Sequence, residues 1–239
     1  MTVKKSVTLI LFLIGMISIA GEIYRPEFKL LPFSNRCSSS CKPFCGETLL
    51  IAAEKMQDFN IVPTERTAAR GFYDQDNLYI KVNCEDRDII SEVTSPKNAA
   101  PGNAADTIQI ILKSEKDYGI WVINVTANKI VNNIFYHSAG SIITPTIPAE
   151  TGVKAEITLL GTLNQMDDTD KGWETLITIP KKLFQNRSFK FIPEENWTIL
   201  VRRYNYGIQL KARELSSFPQ MTMFDHFEPA RYARITFAR

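Results

Sequence analysis

Apolar residues recur at every second position in two runs of the chain, Leu78–Cys84 and Thr107–Leu112. A period of two places one set of side chains against a core and leaves the other set facing solvent. The polar stretch Asp74–Asn77 precedes the first run, and short polar side chains favour turns. We therefore expect two half-buried strands near the centre of an antiparallel sheet. Asn83 and Gln109 should be turned away from the core. The inner faces should carry Leu78, Ile80, Val82, Ile108, Ile110 and Ile177.

Further short segments are rich in β-branched or aromatic residues and are bounded by Gly, Pro, Asn or Asp, which is typical of strands. They are Gly119–Thr126, Lys129–Tyr136, Val153–Leu160, Gly172–Ile179, Trp197–Tyr204 and Tyr232–Phe237. Trp121, Trp173 and Trp197 fall within them and are expected in the core. Only Glu47–Phe59 has helical composition, and it predicts one short N-terminal helix. The chain is therefore predicted to be all-β, an antiparallel two-sheet β-sandwich of the immunoglobulin-like or jelly-roll-like kind.

The N-terminus has the pattern of a secretory signal peptide. Lys4 and Lys5 precede the apolar run Val7–Ile19, and small residues follow at a candidate cleavage site after Ala20 or Gly21. A membrane anchor needs about 20 consecutive apolar residues, more than this run offers. We therefore expect cleavage, a secreted or periplasmic protein, and no stable membrane anchor.

These features divide the chain into a signal peptide (residues 1–20), a Cys/Pro/Ser-rich lead-in (21–45) and one β-sandwich (46–239). The whole chain has 28 Lys and Arg against 26 Asp and Glu, and the signal peptide removes two lysines and no acid. The mature chain is therefore neutral. An evenly mixed neutral surface does not attract nucleic acid, which argues against a nucleic-acid partner. The oligomeric state is left open.

All four cysteines, Cys37, Cys41, Cys45 and Cys84, follow the signal peptide. Disulfides persist in exported proteins, so we expect either two disulfides or one disulfide plus a buried Cys84. Four cysteines allow three pairings, and the sequence does not choose among them. A metal or iron–sulfur site would need reduced thiolates, and the spacing differs from the usual zinc pairs.

Five motifs occur in an order that resembles the family 9-like carbohydrate-binding modules, a β-sandwich family of secreted polysaccharide-handling systems. They are Thr67–Asp86, Ala105–Leu112, Gly172–Leu183, Trp197–Arg203, and Ser216–Phe218 followed by Phe224–Phe237. The resemblance runs from about Gly46 to the C-terminus. It implies non-catalytic binding of a poly- or oligosaccharide at a loop-edge site, beside glycoside hydrolases in polysaccharide catabolism. It implies no obligatory cofactor, although calcium is possible.

The resemblance also suggests site residues. Such modules bind sugars through flat aromatic faces and planar polar groups. Asn103 stands where the best-known members have a tryptophan, Phe218 replaces the tryptophan of the closing motif, and Gln109 replaces a glutamate. Phe218 is expected to stack on the sugar, with Arg203 and Asn103 bonding its hydroxyl groups. Asp106 is expected to hold a loop end or a calcium ion.

Two other classes of function stay open. The chain has no G-x-S-x-G, no H-E-x-x-H and no Gly-rich phosphate loop, so an enzyme would have to be a glycoside hydrolase or lyase without a recognisable motif. Related sandwiches hold b-type haem between a Met and a His for electron transfer. The residues that could do so here are His137, Met221, Met223 and His226. A Soret band in the absorption spectrum would identify a haem protein.

Overall fold

The computed structural model describes residues 25–33, 49–50, 52–53, 63–99, 103–116, 119–139, 142–146, 151–187, 196–210, 213–222 and 227–238. Within these ranges the chain forms strands and short 3-10 turns but no α-helix. The strands are β1 (Glu27–Pro32), β2 (Leu49–Leu50), β3 (Ala52–Ala53), β4 (Thr67–Tyr73), β5 (Asn77–Cys84), β6 (Thr107–Ser114), β7 (Gly119–Thr126), β8 (Val131–Ala139), β9 (Ile142–Thr146), β10 (Lys154–Leu159), β11 (Trp173–Pro180), β12 (Trp197–Asn205), β13 (Glu214–Phe218) and β14 (Ala233–Phe237). The 3-10 turns are Pro96–Asn98, Lys181–Arg187 and Pro229–Arg231.

The strands form one continuous hydrogen-bonded sheet in the order β10-β11-β5-β4-β1-β14-β12-β6-β7-β8-β9, with β13, β2 and β3 attached to it. The all-β class is confirmed. The arrangement corrects the expectation of two separate antiparallel sheets, because β1 runs parallel to both of its neighbours, β4 and β14. Since β1 pairs along both edges, it joins the two halves of the fold into a single sheet curled around one core.

β1 fits between its neighbours because one of them carries no side chain at the point of closest approach. Phe28 and Leu30 point inward from β1 and are fully buried. Gly71 of β4 lies opposite Leu30. A Cβ atom at Gly71 would lie 2.2 Å from Leu30 Cδ2 and 2.4 Å from Phe28 Cε1. The glycine therefore makes room for the parallel strand that joins the two halves.

The main core contains the residues that strand alternation predicts. The predicted inner-face residues are all at most 2% exposed, which confirms their placement. Trp121, Trp173 and Trp197 lie in the same core, at no more than 5% exposure. A run of alternating aliphatic residues thus suffices to locate the interior, because the side-chain period of a strand is two.

The other face of β6, β7 and β12 is covered as well. A second apolar cluster on that face consists of Ile111, Ile120, Val122, Leu200, Met221 and Tyr232. All three strands are therefore buried along nearly their whole length. Gln109 points away from the main core as predicted, but it is 4% exposed rather than in solvent.

The predicted N-terminal helix over Glu47–Phe59 is wrong where the structure describes it. Leu49–Leu50 pairs with Ala68 and Ala69 of β4, and Ala52–Ala53 pairs with β13. Strand pairing of the backbone thus overrides a local composition that favours a helix. In the described part of the chain no helix is both long and apolar enough to span a membrane.

Candidate functional site

A buried ionic layer closes one end of the core. Arg203 continues the inward-facing row of β12 beyond Ile199 and Val201, and it is 1% exposed. Its Nη2 atom lies 2.9 Å from Asp86 Oδ2, which follows β5. Its Nη1 atom donates to Thr67 Oγ1 at 3.0 Å and to a backbone carbonyl at 2.8 Å. The guanidinium therefore ties three strands together from the inside.

Asn205 extends this layer toward the surface. Its Oδ1 atom accepts a hydrogen bond from Arg203 at 2.7 Å, and its Nδ2 atom donates to Glu65 Oε2 at 2.7 Å and to Glu214 Oε2 at 3.3 Å. Glu214 Oε1 accepts from the backbone N–H of Thr64 at 3.0 Å. The buried charges are thus connected, group by group, to the loop that precedes β4.

Asp106 joins two chain segments on either side of this layer. Its Oδ2 atom accepts from the backbone N–H of Ile90, and its Oδ1 atom accepts from that of Tyr206, each at 2.7 Å. The carboxyl group is fully buried. Burial and the neighbouring Asp86 raise its pKa well above the usual range. Asp106 therefore holds a loop end, one of the two roles expected for it.

Burial also raises the pKa of Asp86, to about 6, although the Arg203 guanidinium beside it acts in the opposite direction. Cys84, in the same region, is a free and buried thiol whose pKa burial raises to about 12. A thiol with so high a pKa is unreactive at neutral pH. Cys84 forms no disulfide in this structure, and Cys37, Cys41 and Cys45 lie outside the described residues.

The backbone N–H groups of the segment 87–91, after β5, are bonded to side chains. Each of its five successive backbone N–H groups donates to a side-chain oxygen at 2.7–3.1 Å. The acceptors, in order, are Glu65, Asp86, Asp170, Asp106 and Asn164. Since every amide is bonded, the course of this loop is fixed by the surrounding structure.

A cleft of about 160 Å³ opens above the ionic layer, between the segment 87–91 and the turn 206–210. Its lining combines carboxylates with an arginine, an amide and a tyrosine. The residues are Thr64, Glu65, Asp86, Arg87, Asp88, Tyr206, Gly207, Gln209 and Leu210. Planar polar groups beside an aromatic ring are the means by which proteins hold a small polar ligand.

Asp88 is the most informative residue of this lining. Its Oδ2 atom accepts from the backbone N–H of Ile208 at 2.7 Å, which fixes the turn 206–210 to the segment 87–91. Its Oδ1 atom is buried and has no hydrogen-bond partner. The residue as a whole is 9% exposed. A buried carboxylate oxygen without a donor is costly unless a ligand or water supplies one.

The structure brings together two of the four predicted site residues. Arg203 and Asp106 both lie in the buried layer beneath the cleft, so neither has surface to offer a sugar hydroxyl. Asn103 is exposed in the loop before β6. Phe218 ends β13 and is half-buried, with its ring centroid 6.2 Å from that of Phe28. Neither Asn103 nor Phe218 is among the residues that line the cleft.

The residues of the cleft itself were not predicted from the sequence. The available signal was the run Glu85–Asp88, in which three of four residues are acidic directly after a strand. Such a run usually indicates a solvated turn, and nothing in the sequence indicates that Asp86 and Asp88 become buried. Asp88 is bonded to Ile208, which lies 120 residues further along the chain. Such a long-range contact becomes visible only in the folded structure.

A second polar row lies on the opposite face of the sheet. Arg202 Nη1 donates to Gln109 Oε1 at 3.3 Å, and Gln109 Nε2 donates to Asn124 Oδ1 at 2.8 Å. The Arg202 guanidinium also lies over the ring of Tyr204, at 5.0 Å. All of these residues are buried.

The residues considered for haem or metal binding do not form a site among the described residues. Met221 is buried in the second apolar cluster, whereas His137 is exposed on β8. Met223 and His226 lie outside the described residues. No group of three or more His, Cys, Asp or Glu side chains arranged to hold a metal ion occurs in the described part of the chain. Calcium binding stays a prediction.

Comparison with solved structures identifies the fold. The sequence matches no family model and no curated protein. The structure resembles that of a candidate carbohydrate-binding protein from Bacteroides uniformis, with a TM-score of 0.59 and 12% identity, over 90% of this chain and 100% of that one. It also resembles a family 9 carbohydrate-binding module from Caldicellulosiruptor kristjanssonii in complex with glucose, with a TM-score of 0.56 and 10% identity, over 89% and 95% of the two chains. The chain therefore has the fold of the family 9 carbohydrate-binding modules.

Proposed function

We propose that this protein binds a poly- or oligosaccharide without turning it over. The observation that carries the proposal is the similarity of nearly the whole chain to a candidate carbohydrate-binding protein and to a module crystallised with glucose. At these low identities the likeness concerns the fold, so the ligand is our inference. The order of sequence motifs supports the same class of ligand independently.

The proposed binding site is the cleft between the segment 87–91 and the turn 206–210. It lies beyond the ends of β5 and β12, where loops meet, and its lining includes both hydrogen-bond acceptors and Tyr206. Ligand sites for larger organic molecules occupy about 300–1,000 Å³. A cleft of about 160 Å³ suits one sugar ring or the end of a chain rather than a buried oligosaccharide.

The residues predicted from the resemblance keep a place in this proposal. Arg203 and Asp106 act as positioning residues, because their contacts fix the loops that form the cleft walls. Asn103 remains a candidate ligand contact since it is exposed beside β6. Phe218 packs against the main core outside the cleft lining, so its stacking on a sugar stays a prediction that requires the ligand to extend beyond the cleft.

Weak binding is the expected outcome. A stacked aromatic ring contributes about 0.5–1.5 kcal/mol beyond its buried area, and no pair of tryptophans is available to enclose a sugar. We therefore expect affinities toward the millimolar end, near −4 kcal/mol. The absence of a catalytic motif from the sequence supports binding without hydrolysis.

We further propose that the protein acts outside the cytoplasm. The signal-peptide pattern of residues 1–20 and the cysteine-rich lead-in (21–45) support export. Residues 1–24 and 34–45 of these segments lie outside the described residues, whereas residues 25–33 of the lead-in carry β1. Exported binding modules of this kind would meet polysaccharides beside glycoside hydrolases, which is the role in catabolism that the resemblance implies.

A glycan array tests the function. The mature protein should bind at least one poly- or oligosaccharide on the array, and incubation with that glycan should release no new reducing ends. Release of reducing ends would indicate an enzyme. A failure to bind any glycan at millimolar concentration would show that the fold has been kept without sugar binding.

A further inference from the structure

The strand β10 forms one edge of the sheet. It pairs along one side with β11, and no strand among the described residues pairs along its other side. Just after β10, the backbone N–H of Leu160 donates to Gly172 on the β11 side. The direction of the backbone groups alternates along a strand, so those of Ala155, Ile157 and Leu159 point to the open side. β10 therefore offers a row of backbone donors and acceptors to a further strand.

The apolar side chains of this edge are incompletely covered. Ala155, Ile157 and Leu159 pack against the main core, but each is only half-buried. Ile177 and Ile179, which face the same core from β11, are fully buried. β11 has a strand on both sides, whereas β10 has one on a single side within the described part of the chain. A strand added to β10 would remove more of these side chains from water.

β10 lacks several features that keep edge strands from pairing. Proteins protect such edges with proline, with bulges, with very short strands or with charged side chains. β10 contains no proline, and its register with β11 is unbroken over six residues. Its two charged residues, Lys154 and Glu156, are both exposed and have opposite signs. They therefore oppose only a partner strand that brings like charges together.

The charge pattern favours a second copy of β10 as that partner. Two antiparallel copies can meet along their open sides with Ala155 opposite Ala155. Lys154 of each copy then lies opposite Glu156 of the other, and opposite charges in this position stabilise strand pairing. A register centred on Glu156 would instead place two carboxylates opposite each other. The strand is thus complementary in charge to itself.

We propose that the open side of β10 pairs with β10 of a second copy of this chain, giving an antiparallel two-fold dimer centred on Ala155. Such an interface uses the same surface on both copies, so assembly stops at the dimer. The paired stretch is Val153–Ile157, because Gly152 has a φ of 70° and ends the extended backbone. A stable interface has about 20–30 residues on each side. This much shorter pairing therefore gives a weak dimer that depends on concentration.

Sedimentation velocity of the mature protein from micromolar to millimolar concentration is the first test. A weak dimer should form both with and without reductant, which excludes a disulfide as its cause. At concentrations where the dimer forms, the amides of Ala155 and Ile157 should exchange with D₂O more slowly than in the monomer. A monomer at every concentration overturns the proposal, as does a dimer in which these amides are not protected. Neither result depends on sugar binding.

Exchange of the two charges is the second test. Lys154→Glu should weaken dimerisation at least tenfold, because it places two acidic side chains opposite each other, and Glu156→Lys should do the same with two basic ones. The double variant restores opposite charges and should dimerise within about threefold of the wild type. Lys29→Glu, the same change at an exposed position on β1, is the matched control and should have no effect. Single variants that dimerise normally, or a double variant that is not rescued, overturn the proposal.

Discussion

The role of Arg203 can be tested by removing its charge. Arg203→Met keeps much of the side-chain volume but leaves Asp86, which is 2% exposed, without its partner. Breaking a buried ion pair from one side costs about 3–5 kcal/mol, because the remaining charge stays buried and uncompensated. The variant also loses the donors to Thr67 and Asn205. We therefore expect Arg203→Met to lower the free energy of unfolding by about 3–5 kcal/mol.

Lys81→Met provides the matched control. Lys81 and Glu174 form an ion pair at 3.0 Å on the outer face of the sheet, with side chains 18% and 34% exposed. Exposed pairs contribute about 0–1 kcal/mol. For a chain of this size, 1 kcal/mol shifts the Tm by about 2–4 °C. Arg203→Met should therefore lower the Tm by about 6–20 °C, and Lys81→Met by no more than about 4 °C.

Urea unfolding followed by tryptophan fluorescence measures both variants, since all three tryptophans are buried. A loss below 1 kcal/mol in Arg203→Met would refute the argument that this residue holds the end of the core. A normal Tm combined with lost sugar binding would instead support the direct contact with hydroxyl groups that the resemblance suggests. Measuring stability and binding on the same sample separates the two roles.

Further predictions concern the core, a titrating group, the aromatic candidate and the cysteines. Ile110→Ala should lower the free energy of unfolding by about 2–5 kcal/mol, because Ile110 is fully buried. Ile208→Ala, at an exposed position, should change the free energy of unfolding by no more than about 0.5 kcal/mol. Similar losses in both variants would contradict the placement of Ile110 in the core. Burial raises the pKa of Asp86 from 3.8 to about 6, so its protonation stabilises the fold fully below about pH 4, and this contribution is lost as the pH rises through about 6. NMR of the carboxyl carbons should find a titration midpoint for Asp86 near pH 6, and a midpoint near pH 4 would contradict the effect of burial on its pKa. Phe218→Ala should weaken glycan binding while the Tm falls only slightly; unfolding would identify a core residue instead. Non-reducing mass spectrometry of the exported chain should find Cys84 as a free thiol and a disulfide within the lead-in, and a Cys84 disulfide would contradict the structure.

Strand alternation predicted the interior of this fold well. Ile80 and Ile110 are buried because a period of two leaves one face of a strand for the core. The parallel pairing of β1 was not predictable, because it depends on a glycine at position 71 and on partners more than 200 residues apart along the chain, such as Phe28 and Ile235. Two-residue strands such as Leu49–Leu50 are too short to show any period.

The site was harder to predict than the fold. Alternation places Arg203 on the inner face of β12, but polar residues in strands usually reach water, and its partner Asp86 lies 117 residues away. Asp88 owes its place in the cleft to a backbone donor on a distant turn. Long-range polar contacts of this kind leave no local pattern in the sequence.

The most direct test of sugar binding at the cleft is amide chemical-shift mapping. The deuterated, ¹⁵N-labelled mature protein is titrated with the glycan that binds best on the array. The largest shifts should occur at Asp88, Tyr206 and Ile208, whose amide donates to Asp88. Shifts confined to the opposite face, around Gln109 and Asn124, or the absence of any shift at millimolar glycan, would contradict the account.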